Sequence, residues 1–362
     1  MPIPVNEIVA SLKERNCIFL LGPGLVLDKK GGLLQAGLID YFKEKGLEID
    51  QDLDNLFSCK TQAKTRAHVY IKEYYRDNGE LNDTLRQLAR IPGHLYVSIN
   101  PDLLMKQALE DYGVAHEFKY YVKDQPPEDV TNPTAEKPLL YNLCGSIDTP
   151  QSLIFSYEDL IQYLFSIVRD FKLPQNLRSN LENNVYFIFL GFDFEKWYLK
   201  LLLKLLLLDE TKLSIAAESG TGTQGQLRTF YVGHYGLEFV EDNVEQYVKR
   251  LYDECDQQGL LRVIKEKTQA SIQDEIKELI NNDELEQALD RLYQTLSEMD
   301  EQLIKAKDEE KQDLLDELDM QISRLSRSEK QLRKGLVTEE DAAIEKNKIT
   351  EAVLTNVRKL FG

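Results

Sequence analysis

Positive charge is scarce in this chain of 362 residues. It has 44 Lys and Arg residues against 62 Asp and Glu residues, which gives a formal net charge of −18. Binding to duplex nucleic acid relies on a concentrated basic surface that displaces counterions from the phosphates. A chain with this excess of acidic residues has no surplus of basic residues for such a surface, so the sequence argues against nucleic acid as a partner.

Paired cysteines and long apolar runs are also missing. The cysteines are far apart and form no Cys-x-x-Cys pair: Cys17, Cys59, Cys144 and Cys255. The first residues lack the basic and apolar regions of a secretory signal. The longest apolar run, residues 199–208, is interrupted by Lys200 and Lys204 and falls short of the roughly 20 apolar residues of a membrane-spanning helix. We therefore expect a reduced, cytoplasmic protein without a membrane span.

Proline, glycine and aromatic residues are rare in the C-terminal quarter of the chain. All 11 prolines lie at or before Pro174, and only Tyr293 and Phe361 are aromatic within residues 271–362. Apolar residues there recur every three or four positions, a spacing that predicts amphipathic helices. Thr338 and Asp341 have the spacing of a capping box at the start of the last helix. We predict an antiparallel helical bundle over residues 271–362.

The first 265 residues follow a different pattern, in which short apolar runs alternate with stretches of helical character. We predict strands over residues 17–21, 95–99, 139–143, 185–190 and 229–232. We predict helices over residues 101–112, 156–171 and 195–208. Alternation of this kind is typical of an α/β fold with a mostly parallel, Rossmann-like sheet covered by helices. Residues 1–265 are therefore predicted to form an α/β domain, followed by the helical domain.

Four of these apolar runs end in small or polar residues. In open α/β sheets, ligands bind at the carboxyl ends of the strands, so these residues are the candidate site. The first run ends in residues 22–25, where Gly22 and Gly24 allow the backbone to approach a phosphate closely. Pro23 removes one amide donor, and a plain turn at the end of the strand is the alternative.

The other three runs end in polar or flexible residues as well. The second ends in Ser98, Asn100 and Asp102, where Asn100 either belongs to a site or caps the following helix. The third ends in Cys144, Gly145 and Ser146, and the fourth ends in Gly191, Phe192 and Asp193. We expect all three groups to lie with residues 22–25 at the carboxyl end of the sheet.

The order and spacing of these four strand ends resemble the sirtuin-like fold, and specifically bacterial sirtuin-like domains that act as NAD hydrolases in antiviral defence. The resemblance covers roughly residues 15–255. Residues 22–25 are similar to the family's glycine loop around the pyrophosphate, and residues 98–102 to its Thr-x-Asn-x-Asp motif. Residues 143–148 match the family's Leu-His-Gly-Ser-Ile-Asp motif except at the His. Residues 190–193 resemble the strand end that contacts the adenosine.

The resemblance implies a set of roles for these residues. Asn100, Asp102 and Cys144 would be the catalytic group, with Asn100 placing the water or the nicotinamide ribose and Asp102 supporting its loop. NAD would be bound by these residues at the strand ends: Gly22, Gly24, Leu25, Ser98, Gly145, Ser146, Gly191, Phe192 and Asp193. The implied reaction is cleavage of NAD to nicotinamide and ADP-ribose.

The family's His, which contacts the nicotinamide ribose, is replaced by Cys144. A neutral thiol is a poor hydrogen-bonding group, whereas an imidazole accepts a proton at physiological pH. Cleavage through an oxocarbenium-like state depends largely on positioning and electrostatics, so the loss of a base does not by itself abolish activity. Two hypotheses therefore stay open: an NAD hydrolase, and a degenerate scaffold that binds nucleotide or partners without hydrolysis.

The histidines and glycines elsewhere in the chain do not change this interpretation. The histidines lie outside the strand ends, so we predict structural or surface roles for His68, His94, His116 and His234. Residues 220–225 match Gly-x-Gly-x-x-Gly, but a predicted strand follows them instead of a helix, which favours a flexible loop. The paired cysteine knuckles of zinc-bearing sirtuin deacylases are missing, so we expect no zinc and no peptide deacylation.

The C-terminal helical region also has a resemblance. Residues 279–290, the charged helix after them and residues 332–341 are similar to the small helical effector-associated domains of bacterial conflict systems. Those domains recruit partners by like-to-like pairing, which implies self-association, a defence-system partner, or both. The alternative is a bundle that packs only on itself or on residues 1–270.

Overall fold

The computed structural model describes most of the chain, and the structural statements below concern these residues. They are residues 3–51, 56–58, 61–123, 125–170, 173–206, 211–218, 223–263, 269–281, 285–298, 308–333 and 336–361. The chain divides into two compact units, Met1–Lys265 and Glu266–Gly362.

The first unit is built around a parallel sheet. Within the described residues the sheet has seven strands in the order β11-β10-β9-β1-β6-β8-β7. Its strands are β1 (Cys17–Leu21), β6 (Leu95–Ser98), β7 (Glu117–Tyr120), β8 (Leu139–Asn142), β9 (Tyr186–Leu190), β10 (Leu213–Ala217) and β11 (Leu237–Phe239). Two small antiparallel ladders join β2 (Leu27–Asp28) to β5 (Gly79–Glu80) and β3 (Asp50–Gln51) to β4 (Phe57–Ser58). The predicted Rossmann-like α/β fold is confirmed.

Helices connect the strands and cover both faces of this sheet. In chain order they are α1 (Val5–Lys13), α2 (Leu38–Glu44), α3 (Thr61–Asn78), α4 (Asp83–Arg90), α5 (Leu104–Asp111), α6 (Tyr157–Asp170), α7 (Gln175–Asn183), α8 (Tyr198–Leu205), α9 (Gly225–Tyr235) and α10 (Val244–Gln257). None of the helices that the structure describes, in either unit, combines the length and the apolar character needed to cross a bilayer.

The central strand β1 shows why the sheet must be covered on both sides. All five of its residues are buried. Phe19 and Leu21 pack into the core shared with α1, α4 and α10, whereas Ile18 and Leu20 pack into the core shared with α6, α7 and α9. Alternate side chains therefore enter two separate cores, so every position of the strand is apolar.

The prediction of a strand over residues 229–232 is wrong. These residues lie inside α9, and strands β7, β10 and β11 were not predicted. The Thr-Phe-Tyr-Val sequence has the β-branched and aromatic composition of a strand. Its buried tyrosines, Tyr231 and Tyr235, are four positions apart, which is the spacing of one helix face. Tertiary packing on that face outweighs the local β preference.

Because residues 229–232 are helical, a helix and not a strand follows the glycine motif at residues 220–225. The argument that this motif lacks the following helix of a phosphate-binding loop therefore does not hold. A strand, β10, precedes this motif and a helix, α9, begins at Gly225. The first two glycines, Gly220 and Gly222, lie outside the described residues. The side chain of Gln224 at the start of α9 makes no capping hydrogen bond.

The second unit contains four described helices that share one apolar core. They are α11 (Gln269–Asn281), α12 (Leu285–Glu298), α13 (Asp308–Arg333) and α14 (Glu339–Phe361). The predicted apolar stripes supply this core, with Ile276, Leu289, Leu318 and Val353 all buried. The predicted capping box also forms, because the Asp341 N–H donates to Thr338 Oγ1 at 3.1 Å and the Thr338 N–H donates to Asp341 Oδ2 at 3.4 Å. The helical C-terminal region is thereby confirmed.

Candidate functional site

The carboxyl ends of the neighbouring strands β9, β1 and β6 lie side by side at the carboxyl end of the sheet. The Gly22 N–H donates to the Leu190 carbonyl at 2.8 Å, and this bond extends the ladder between β1 and β9. The buried Asn100 side chain donates from Nδ2 to the Gly22 carbonyl at 2.9 Å. Three strand ends that are remote in sequence are thus joined by hydrogen bonds around Gly22.

Two glycines make this junction possible. A Cβ on Gly22 would lie 2.6 Å from the Gly191 carbonyl oxygen, a distance that real Cβ atoms do not reach. Gly191 has a φ of +71°, and a Cβ there would lie 2.8 Å from the Gly24 carbonyl carbon. Glycine is required at both positions because the two backbones touch and because Gly191 occupies the left-handed region.

The amides of the glycine loop already have partners within the protein. The Gly24 N–H donates to the Gly191 carbonyl at 2.8 Å, and the Leu25 N–H donates to the Gly22 carbonyl at 3.2 Å. The Val26 N–H donates to the Pro23 carbonyl at 3.1 Å, and Pro23 has no N–H to offer. This loop therefore does not present the row of unpaired amides that forms a phosphate cradle.

Asn100 does not cap the helix that follows it. Helix α5 begins at Leu104, whose N–H donates to Asp102 Oδ1 at 2.9 Å, and its N-cap position is Leu103. Instead, the Asn100 side chain turns to Gly22, and its N–H donates to Ser98 Oγ at 3.0 Å. Asn100 is thereby held at both its backbone and its side chain.

Asp102 is a buried carboxyl group with only part of its hydrogen-bonding capacity used. Its Oδ2 atom has no partner among the described residues. Burial raises the pKa of Asp102 from its ordinary value to about 6, against a smaller lowering effect of the Leu104 N–H. The carboxylate form is therefore costly, because removal of a charge from water is only partly offset by one backbone donor.

The end of β8 turns sharply through Gly145. This glycine has a φ of +85°, and a Cβ on it would lie 2.2 Å from the Ser152 carbonyl oxygen. The Ser146 N–H donates to Ser152 Oγ at 2.9 Å, and the Ile154 N–H donates to the Cys144 carbonyl at 3.1 Å. These contacts set the position of Cys144 at the edge of the sheet.

Cys144 carries a neutral thiol in this environment. The residue is partly buried, and the apolar surroundings raise the pKa of its thiol to about 12. The reactive form of cysteine is the thiolate, and a thiol with this pKa stays protonated near neutral pH. Cys144 is thus neither an activated nucleophile nor a proton acceptor here.

A cleft lies over Asn100 and Cys144 at this sheet edge. Its empty volume, including the opening to solvent, is about 890 Å³. The strand ends contribute Pro23, Asn100 and Cys144, and helices α3 and α6 contribute Tyr75 and Tyr163. The remaining described lining residues are mostly apolar, and none carries a charge: Gln35, Leu38, Leu56, Phe57, Ile71, Ile99, Pro101, Leu153, Ile154, Phe155, Leu160, Leu164, Tyr198 and Leu202. An apolar cleft with a few fixed polar groups is typical of a small-molecule site.

The other residues expected to bind a cofactor do not line this cleft. They are Gly22, Gly24, Leu25, Ser98, Gly145, Ser146, Gly191, Phe192 and Asp193. The Phe192 ring is buried in the core against Phe189 and Phe194. Asp193 accepts from the Glu195 N–H at 3.0 Å and lies 3.7 Å from the Lys196 ammonium group.

The sequence did not indicate Tyr75 and Tyr163 as candidate site residues. Both lie on helices, and in the sequence a tyrosine on the apolar face of a helix is typical of a core residue. The periodic pattern predicts which face of a helix is buried. It does not show that the buried face of α6 ends at a cleft, because that depends on where α3 and α6 cross the strand ends.

The histidines do not line the cleft. His94 is buried at the start of β6, at the opposite edge of the sheet, where burial lowers its pKa to about 4. The half-buried His68 ring packs edge-on against Phe155 with a centroid distance of 5.2 Å. His116 lies 2.9 Å from the Val114 carbonyl, and His234 packs on Phe230. In the part of the chain that is described, no His, Cys, Asp and Glu residues are grouped to hold a metal ion.

Comparison with known proteins places both units in described families. Residues 94–221 match the SIR2-like domain family, and residues 271–361 match the family of effector-associated domain 11. The chain is also 24% identical over 197 residues to a protein of Bacillus cereus (strain MSX-D12) named NAD(+) hydrolase ThsA. This match covers 52% of the chain and spans 40% of the length of that relative. The chain thus combines a SIR2-like domain with an effector-associated domain, as the resemblances implied.

The contact between the ends of β1 and β9 predicts a specific response to an added methyl group. We expect Gly22→Ala to lower the free energy of unfolding by at least about 2 kcal/mol, because the new Cβ meets the Gly191 backbone. Gly233→Ala is the matched control, since an added Cβ in this exposed turn of α9 meets no atom within 4 Å. The control should gain roughly 0.5–1 kcal/mol from helix propensity. Urea unfolding, followed by the fluorescence of Trp197, measures the free energy of unfolding of both variants. Equal changes in the two variants would contradict the close contact.

The raised pKa of Asp102 predicts a pH-dependent stability difference between the protein and Asp102→Asn. The folded-state pKa of about 6 lies above the ordinary value of 3.8, so the folded protein binds the proton more tightly and ionisation destabilises it. The penalty is absent below about pH 4 and complete above about pH 6. The melting temperature of Asp102→Asn, followed by Trp197 fluorescence, should therefore rise relative to the unchanged protein across this window. A difference that is constant with pH would show that Asp102 is not desolvated.

Proposed function

We propose that the chain hydrolyses the bond between nicotinamide and ribose in NAD at the cleft over Asn100. The observation that carries the proposal is Asn100 itself, which is buried in the cleft wall and oriented by the Gly22 carbonyl. The SIR2-like match and the similarity to an NAD(+) hydrolase support NAD as the substrate. The uncharged lining of the cleft fits the nicotinamide ribose end better than the phosphates.

The reaction consumes NAD and water and yields nicotinamide, ADP-ribose and a proton. The bond from ribose C1′ to the nicotinamide nitrogen breaks, and the water oxygen bonds to C1′. Positive charge develops on the sugar as nicotinamide leaves, so groups that hold the sugar and the water in place provide much of the rate. In our proposal Asn100 positions the water or the ribose. Asp102 positions Asn100 by fixing the start of α5.

Cys144 has a limited part in this reaction. Its thiol stays protonated at neutral pH, so it does not accept the proton of the attacking water. It lines the cleft where the family's His is expected. The proposed activity therefore rests on positioning, and we expect it to be slower than that of a site with an imidazole at residue 144.

In our proposal the glycine loop lets the pyrophosphate of NAD approach its backbone closely. Its amides are paired with carbonyls, so in our proposal Gly22 and Gly24 permit the pyrophosphate to pass near the backbone and do not bind it through a cradle of amides. The adenosine end would extend toward Gly191 and Asp193, which lie at the adjoining strand end.

The alternative function is a scaffold that binds nucleotide without hydrolysis. Two observations favour it: the Cys144 thiol is neutral, and the amides of the glycine loop are already paired. In this alternative the SIR2-like domain keeps its cleft, and the effector-associated domain carries the function.

The effector-associated domain suggests how the activity would be used. We infer that the second unit recruits either another copy of the chain or a partner of a bacterial defence system, with the SIR2-like domain as the effector. The match of residues 271–361 to effector-associated domain 11 supports this assignment.

Nicotinamide release from NAD tests the enzymatic proposal. The full chain should release nicotinamide at physiological pH, and Asn100→Ala should lower the rate at least about 100-fold, since the positioning group is lost. Asn183→Ala is the matched control because Asn183 is exposed at the end of α7, where its side chain donates to Ser179 Oγ at 3.2 Å in the same helix. It should keep the full rate.

The variant Cys144→His separates the two functions. An enzyme limited by its missing imidazole should become faster in this variant. Binding of ADP-ribose without nicotinamide release in the unchanged chain, together with release by Cys144→His, would instead establish the scaffold. Equal rates for the unchanged chain and Asn100→Ala would refute the role of Asn100.

Sedimentation of the full chain and of a truncation to residues 1–265 tests the role of the second unit. If the effector-associated domain pairs with copies of itself, the full chain should sediment as a larger assembly at micromolar concentration, whereas the truncation should be smaller by more than the lost mass. Identical oligomeric states would exclude self-association through this domain.

A further inference from the structure

One buried polar group in the cleft has no role in the reaction as described so far. Tyr163 on α6 is 3% exposed and lines the cleft together with Asn100 and Cys144. Its hydroxyl has no hydrogen-bond partner among the described residues. A buried hydroxyl without a partner costs free energy, so a native protein rarely keeps one unless a water or a ligand completes it.

The position of the Tyr163 ring is well defined. The ring packs edge-on against Tyr121 with centroids 4.6 Å apart, in the favourable arrangement for an aromatic pair. Helix α6 is fixed at its start, where the Asp159 N–H donates to Ser156 Oγ at 3.2 Å and the Ser156 hydroxyl donates to Asp159 Oδ2 at 2.7 Å. Asp159 also forms an ion pair with Lys64 of α3, the helix on the neighbouring wall. The Tyr163 ring is thus held in the cleft wall by a rigid support.

The chemistry of the hydroxyl restricts what it recognises. Burial raises the pKa of Tyr163 well above its ordinary value, so the group stays neutral and both donates and accepts hydrogen bonds. No described residue that lines the cleft is charged, and phosphate recognition draws on charged or backbone donors. The matching ligand group is therefore neutral and polar, such as a sugar hydroxyl.

We infer that the Tyr163 hydroxyl binds a hydroxyl of the ribose next to the scissile bond. This inference rests on the proposed function, because Asn100 identifies the part of NAD that occupies the cleft. Tyr163 provides a hydrogen bond to the ribose that the neutral Cys144 thiol makes only weakly. It is a binding residue and takes no proton in the reaction.

Calorimetric titration of the full chain with ADP-ribose and with ADP tests this assignment. ADP-ribose carries the ribose in question and ADP does not. Tyr163→Phe keeps the ring and removes the hydroxyl, so it should weaken ADP-ribose binding about five- to tenfold and leave ADP binding unchanged. The melting temperature without ligand should not fall, since no hydrogen bond to a described residue is lost.

Tyr231→Phe is the matched control. The Tyr231 hydroxyl is equally buried but donates to the Phe194 carbonyl at 3.0 Å, away from the cleft. This variant should lower the melting temperature by about 2 °C or more and leave both affinities unchanged. The two tyrosines are thus expected to give opposite patterns of binding and stability.

Each contrary result has a distinct meaning. Equal ADP-ribose affinity for the unchanged chain and Tyr163→Phe would overturn the inference and leave the proposed function standing. An equal loss of affinity for ADP would show that the hydroxyl binds the adenosine diphosphate part of the ligand. This result would also overturn the inference. If the unchanged chain bound neither ADP-ribose nor NAD, the proposed function would fail and the inference with it.

Discussion

The close contact between the backbones at the ends of β1 and β9 is the constraint on which the candidate site depends. Gly22 and Gly191 lie so close that neither position has room for a side chain. Because the backbones touch, the Gly22 carbonyl is in place to accept from the Asn100 side chain. The orientation of Asn100 is thus a consequence of how two parallel strands end and not of its own local sequence.

The same constraint changes the meaning of the glycines. A glycine loop after a first strand usually indicates a phosphate cradle, whose amides point at the ligand. Here the loop amides bond to carbonyls of the loop itself and of the neighbouring strand end. The glycines permit contact between two segments of protein, and the polar groups of the cleft come mainly from side chains. The proposed recognition of a neutral sugar depends on such side chains.

The two units of the chain have different sources of stability. The SIR2-like unit buries both faces of a parallel sheet under helices, and it contains the aromatic residues of the two cores. The helical unit relies on aliphatic stripes and on caps such as the pair of Thr338 and Asp341. Each unit therefore buries its own apolar surface in its own core.

Much of the fold was determined by periodicity and composition. The buried run of β1 and the helical stripes of the second unit depend on local spacing, and both have their predicted character in the structure. Residues 229–232 show where local preference fails, because the packing of Tyr231 and Tyr235 on one helix face outweighs a strand-like composition. The sequence order of the strand ends also placed Asn100 and Cys144 at one edge of the sheet, where the structure has them in one cleft.

The chemistry of the site was decided by the tertiary structure. Whether an amide is paired, whether a thiol is neutral and whether a tyrosine hydroxyl lacks a partner all depend on atoms from distant parts of the chain. The Leu25 amide, the Cys144 thiol and the Tyr163 hydroxyl were therefore beyond sequence reasoning. Sequence alone determined which residues stand at the strand ends, since that follows from the order of the elements. Only packing decided which of them line the cleft, because burial and hydrogen bonding are properties of the folded neighbourhood.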